Sequence, residues 1–115
     1  MRMEIVSLFS GLQFSPVGPF LVAPLPKGKS DQIPVGKYGM EEVSRGKATK
    51  PHCHTFPSFY KSRNLNIVCG DETFTLPSDA VTLVLQHIPH SWVPKGQHSG
   101  KVGSVDHRHR KQVVA

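Results

Sequence analysis

The apolar residues of this chain fall in short groups, and a turn residue ends almost every group. Leu65 to Cys69 (LNIVC) has the β-branched content of a strand. Thr73 to Leu76 (TFTL) alternates polar and apolar, as a half-buried strand does. Val81 to Leu85 (VTLVL) puts Val81, Leu83 and Leu85 on one face and Thr82 and Val84 on the other. Between these groups, Gly70-Asp71-Glu72 and Pro77-Ser78-Asp79 read as turns. Upstream, Tyr38, Met40 and Val43 suit a short strand closed at Gly46. Another strand starts within Pro51 to Phe56 and continues through Phe59 and Tyr60, with Lys61 to Asn64 as a polar turn. Ser91 to Val93 follows Pro89-His90 as a further short strand. Strands at this spacing predict a mainly β fold, a small antiparallel β-barrel or sandwich with little helix.

Composition supports the same picture. Ten Gly and ten Pro are scattered through 115 residues, so almost every window holds a helix breaker. The length fits one domain, 1–115. Within it we expect N-terminal strands and a loop over 1–36, core strands over 37–95 and a basic stretch over 96–115 that forms a poorly packed strand or a mobile tail. Apolar residues are 37% of the chain, low for a globular domain, so a partly disordered basic protein without a catalytic role is the bland alternative.

The net charge of +6 comes from dispersed Lys and Arg that gather mostly in two regions, Lys27 to Lys50 and Lys95 to Lys111. That pattern is first a solubilising surface. A nucleic-acid accessory role would draw on Arg108, Arg110 and Lys111, but aromatic residues are not interleaved there for base stacking. Ile5 to Pro26 carries no charge, yet Gly11, Gln13, Pro16, Gly18 and Pro19 interrupt it. It reads as strands packing on the core, not as a membrane span or leader. Cys53 and Cys69 form no CxxC pair, and reduced thiols in a cytoplasmic protein are the simplest reading. A second copy of the chain, as a homodimer, stays among the candidate partners.

Seven histidines carry the candidate chemistry. His52 and His54 flank Cys53; on a strand they share a face, with backbones about 7 Å apart. That spacing allows a two-point grip on one ion and turns Cys53 away. His90, after the strongest strand and a proline turn, is the candidate third ligand, with His87 behind it. A divalent metal here would be Zn, Fe, Mn or Ni. The competing reading leaves His52 and His54 as exposed or hydrogen-bonded imidazoles at a strand edge. His107 and His109 alternate with arginines, as in a solvated tail.

Gly46-Lys-Ala-Thr-Lys-Pro-His52-Cys-His54 resembles the G-x5-H-x-H opening of the first cupin motif. Leu76 to Trp92, with Asp79, an apolar strand and Pro89-His90 before an aromatic, resembles the second. The resemblance spans roughly residues 40 to 93 and extends to the ligand-sensing domains of AraC-type regulators. It implies a small antiparallel barrel with His52, His54 and His90 inside. Two positions depart from the pattern. Ser58 and Phe59 stand where the family often has Glu, and Ser78 stands where it has the Gly before the turn Asp. The sensor-type relatives imply a metal-free pocket as the other option. Either way the expected occupant is a small molecule, gripped by Phe56, Phe74, Leu83 and Trp92.

Other chemistry finds little support. The chain has no GxSxG elbow, Walker A loop or GxGxxG after a strand. Glu41-Glu42 and Asp71-Glu72 are sequence neighbours that face opposite ways on strands, so paired-carboxylate catalysis is unsupported. The imidazoles beside Cys53 are likewise not placed to activate its thiol. No reaction can be named from the sequence.

Overall fold

A computed structural model describes residues 9–36 and 39–105. Nine strands run in the order β1 (Ser15–Val17), β2 (Phe20–Pro24), β3 (Glu41–Val43), β4 (Ser58–Arg63), β5 (Leu65–Cys69), β6 (Glu72–Phe74), β7 (Asp79–Val84), β8 (Ser91–Pro94) and β9 (Gly100–Ser104). Helix is confined, among the described residues, to one 3-10 turn at Ser30–Gln32.

The strands form two antiparallel sheets. The larger has the order β1-β2-β7-β4-β9-β3, and the smaller β6-β5-β8. They pack as a sandwich and are not closed into a barrel. Phe20, Val22, Val43, Tyr60, Ala80, Val84 and Val102 of the large sheet meet Leu65, Ile67 and Trp92 of the small one in a single core. Fully burying a side chain such as Leu65 or Ile67 contributes roughly 1.5–3 kcal/mol. This core therefore outweighs any surface ion pair, such as the exposed Arg63–Asp79 contact.

A second apolar layer covers the opposite face of the large sheet. It holds Phe9, Leu25, Ile33, Val81 and Val105, with Phe14 and Phe59 packed against it. Both faces of β7 are consequently buried at its centre, which changes its expected orientation. Ala80, Thr82 and Val84 face the sandwich interior, while Val81 and Leu83 face outward and Leu85 is 44% exposed.

Two local expectations are corrected. Lys61 to Arg63 is not a turn but the second half of β4, paired with both β7 and β9. The Lys61 ammonium donates to the carbonyls of Ser30 (2.6 Å) and Ile33 (3.3 Å), which lets a lysine sit in a central strand. The corner is Asn64 alone, at φ 57. Its side-chain amide donates to the carbonyls of His98 and Ser99, and the chain crosses there from the large sheet to the small one. Secondly, the strand expected within 96–115 is present but not poorly packed. Residues 100–104 form β9, an internal strand between β4 and β3. Its Gly100 and Gly103 fit because a Cβ at either position would press on backbone, 2.6 Å from the Asn64 carbonyl and 2.8 Å from that of Gly39.

Candidate metal centre

The site forms where the small sheet is extended by the segment 49–54. This segment runs antiparallel to 87–92. His52 and His90 exchange backbone hydrogen bonds of 3.1 and 2.9 Å, and the His87 amide donates to the His54 carbonyl at 2.7 Å. Thr49 closes the other end: its hydroxyl accepts from the Trp92 amide, and its own amide donates to the Trp92 carbonyl. Only His52 has a bridge partner in this stretch, so the ladder is looser than the regular strand expected over Pro51 to Phe56. The register nevertheless places His52 directly opposite His90. Two residues that are 38 apart in sequence thus meet because the backbone pairs there.

The three imidazoles expected to converge do so. Ring centroids lie 4.5 Å apart for His52 and His90, 4.9 Å for His52 and His54, and 5.7 Å for His54 and His90. One ligand nitrogen from each stands within 4.8 Å of the other two. Two nitrogens on one ion, with bonds of about 2.1 Å, can stand no more than about 4.2 Å apart. The set is therefore within an ångström of closing on a metal. Cys53 points elsewhere and is exposed.

The hydrogen bonds fix which nitrogens face inward. His90 Nδ1 lies 3.0 Å from the Ile88 carbonyl, and His52 Nδ1 lies 3.0 Å from that of Lys50. A carbonyl only accepts, so both Nδ1 atoms carry the proton and both Nε2 atoms present a lone pair. A metal-ligating histidine commonly has this arrangement, with its second nitrogen oriented by a carbonyl. His90 is 1% exposed, and its Nε2 has no hydrogen-bond partner among the described residues. A buried acceptor left unpaired costs about 1–3 kcal/mol. That orphaned lone pair, aimed among two other imidazoles, fits a divalent cation.

Electrostatics favour the neutral form of two of the three rings. Burial pushes the His90 imidazole below its ordinary value of 6.5; the Ile88 carbonyl opposes this, and His52 and His54 add to the depression. His54 is lowered as well, first by burial and then by His52. Next to them the Tyr60 phenol is raised, chiefly by burial, with a hydrogen bond to Ser58 acting the other way. Neutral imidazole is the form that binds a metal.

A cavity of about 270 Å³ opens beside the cluster. His52, His54, Tyr60 and Trp92 line it together with Thr49, Glu41, Val102, Ser104 and the glycines 36, 39 and 103. Of the four residues expected to grip a ligand, the structure brings only Trp92 to this wall. Leu83 lies in register with Leu21 and Phe59 on the outward face of the large sheet, where strand alternation puts it. Phe74 packs edge-to-face on Phe20, with ring centroids 6.0 Å apart, and covers Gly18. Phe56 is 60% exposed, and its ring lies 5.7 Å from that of His54.

Sequence reading missed Tyr60 and Glu41 as lining residues. Tyr60 has its ring centroid 5.5 Å from those of both His90 and Trp92. Its signal was only that it alternates with the outward-facing Phe59. Glu41 had a clearer signal, since it lies two residues before the buried Val43 and so shares its face. Arg108, Arg110 and Lys111, with His107 and His109, lie outside the described residues.

No family model matches the sequence. No curated protein matches it either. Among solved structures, the chain is similar to a cupin superfamily protein from Desulfitobacterium hafniense. The two are 12% identical over 84% of this chain and 80% of that one, with a TM-score of 0.42. Among the described residues, no helix is long and apolar enough to cross a membrane.

Proposed function

We propose that this protein is a cupin-like, small-molecule-binding β-sandwich that holds one divalent metal on His52, His54 and His90. The observation that carries the reading is the unpaired, buried Nε2 of His90, grouped with the ligand atoms of His52 and His54. Three imidazoles are a donor set for Zn, Fe, Ni or Mn, and they leave coordination positions for water or a ligand.

Each part of the chain has a task in this reading. The paired segments 49–54 and 87–92 hold the imidazoles at a fixed separation. The carbonyls of Lys50 and Ile88 hold two of the rings in the ligating tautomer. Tyr60 and Trp92 supply an apolar wall that excludes water from one side. A bound metal would supply a Lewis acid beside the cavity.

Cobalt titration tests the proposal. Metal-free protein should develop visible d–d absorption with Co²⁺, saturate near one equivalent and lose the band when Zn²⁺ is added. His52→Ala, His54→Ala and His90→Leu should each abolish saturation at one equivalent. Unchanged titrations in all three variants would place the ion elsewhere.

A further inference from the structure

The lining of the histidine cavity is unusual for so basic a chain. With 14 Lys and Arg and a net charge of +6, a surface opening would ordinarily meet several cations. Among the described residues, none lines this cavity, and the carboxylate of Glu41 is its one formal charge. Glu41 is exposed and stands on β3, an edge strand of the large sheet. It pairs with Val102, shares a face with the buried Val43, and so stands on the sandwich-facing side of β3. Its neighbour Glu42 points the other way and accepts a hydrogen bond from the Ser99 hydroxyl at 2.9 Å. Glu41 has no hydrogen bond or ion pair among the described residues. It presents its carboxylate at a cavity whose apolar walls are Tyr60 and Trp92, their ring centroids 5.5 Å apart.

We propose that this cavity selects a small organic cation, an amine carried on a single ring, with the ammonium at Glu41 and the ring against Tyr60 and Trp92. The proposal rests on the reading of this cavity as the ligand site and names the charge of its occupant. Electron-rich aromatic faces attract cations, and a carboxylate at a cavity mouth makes a charge-assisted hydrogen bond to an ammonium. In metal-free protein an anionic ligand would meet repulsion from Glu41 and, among the described residues, no lysine or arginine. A volume of about 270 Å³ is at the lower end of ligand pockets, which restricts the occupant to about one ring.

Three probes with the same ring and chain length and different charge test this: phenethylamine, 2-phenylethanol and phenylacetate. Their affinities are measured by calorimetry at pH 8, where imidazoles are neutral, on chelator-stripped and on Zn²⁺-loaded protein. In stripped protein, phenethylamine should bind about tenfold more tightly than the alcohol, and the carboxylate more weakly still. Glu41→Gln should erase the preference for the amine, and Glu42→Gln should keep it. Equal or tighter binding of the carboxylate, no binding of the amine, or an unchanged preference in Glu41→Gln would overturn the proposal. The two readings fail separately. Amine selectivity in stripped protein survives a failed cobalt titration, whereas a protein that binds cobalt but prefers the carboxylate refutes only the cation proposal.

Discussion

Replacing His90 by Leu separates a ligand from a structural histidine, because the two roles predict opposite changes in stability. In metal-free protein the imidazole is buried with Nε2 unpaired, a cost of about 1–3 kcal/mol. Leu of similar volume removes that cost but also removes the Nδ1 hydrogen bond to Ile88, worth about 1 kcal/mol. The metal-free variant should therefore be between equally stable and about 2 kcal/mol more stable than wild type. With metal at a hundred times its dissociation constant, wild type should gain about 2.7 kcal/mol. For a chain of this length that is a rise of roughly 10 °C in Tm. The variant should gain nothing. Thermal melts followed by circular dichroism, with chelator and with Zn²⁺, give all four numbers. A metal-free variant destabilised by more than about 2 kcal/mol, with the zinc response intact, would show that His90 supports the fold and binds no metal.

Three other perturbations bear on the account. His54 and His90 bind protons less readily in the folded chain than their ordinary value of 6.5. The unfolded chain then takes up more protons, so metal-free stability should be full above that value and fall as pH drops through it, levelling below the depressed folded values; urea melts from pH 8 to 5 should show this slope, and a flat profile would contradict it. Gly103→Ala would bring a Cβ within 2.8 Å of the Gly39 carbonyl and 3.0 Å of Met40 Sδ. It should cost about 1–3 kcal/mol in a urea melt and weaken the amine probe, because the displaced Gly39 lines the cavity. Asn64→Ala should cost about 2–3 kcal/mol by thermal melt, through its positive φ and two lost hydrogen bonds, and Asn64→Gly, which keeps the backbone freedom, should cost about 1 kcal/mol.

The parts of the fold visible in the sequence are those where one residue pattern dominates. Leu65 to Cys69 is a strand with the bounds its β-branched content suggests, and Gly70 turns it at φ 65. The histidine cluster was legible through the order and separation of the two stretches that resemble cupin motifs, not through H-x-H alone, which recurs at His107 and His109. The rest depended on tertiary partners. Alternation in β7 points to Val81, Leu83 and Leu85, but a second apolar layer buries the outer face too, so it is Ala80, Thr82 and Val84 that meet the sandwich core. That shift of one residue removed Leu83 from the cavity. Lys61 to Arg63 looks like a turn until the carbonyls of Ser30 and Ile33 receive the ammonium. Gly100 to Ser104 has too little apolar content to suggest an internal strand; its glycines matter for what they let approach.

Metal content is the most direct measurement of the central claim. Elemental analysis of purified wild-type protein, beside the His52→Ala/His54→Ala variant, should find about one divalent ion per chain in the first and almost none in the second. Equal metal in both proteins would contradict the three-imidazole centre.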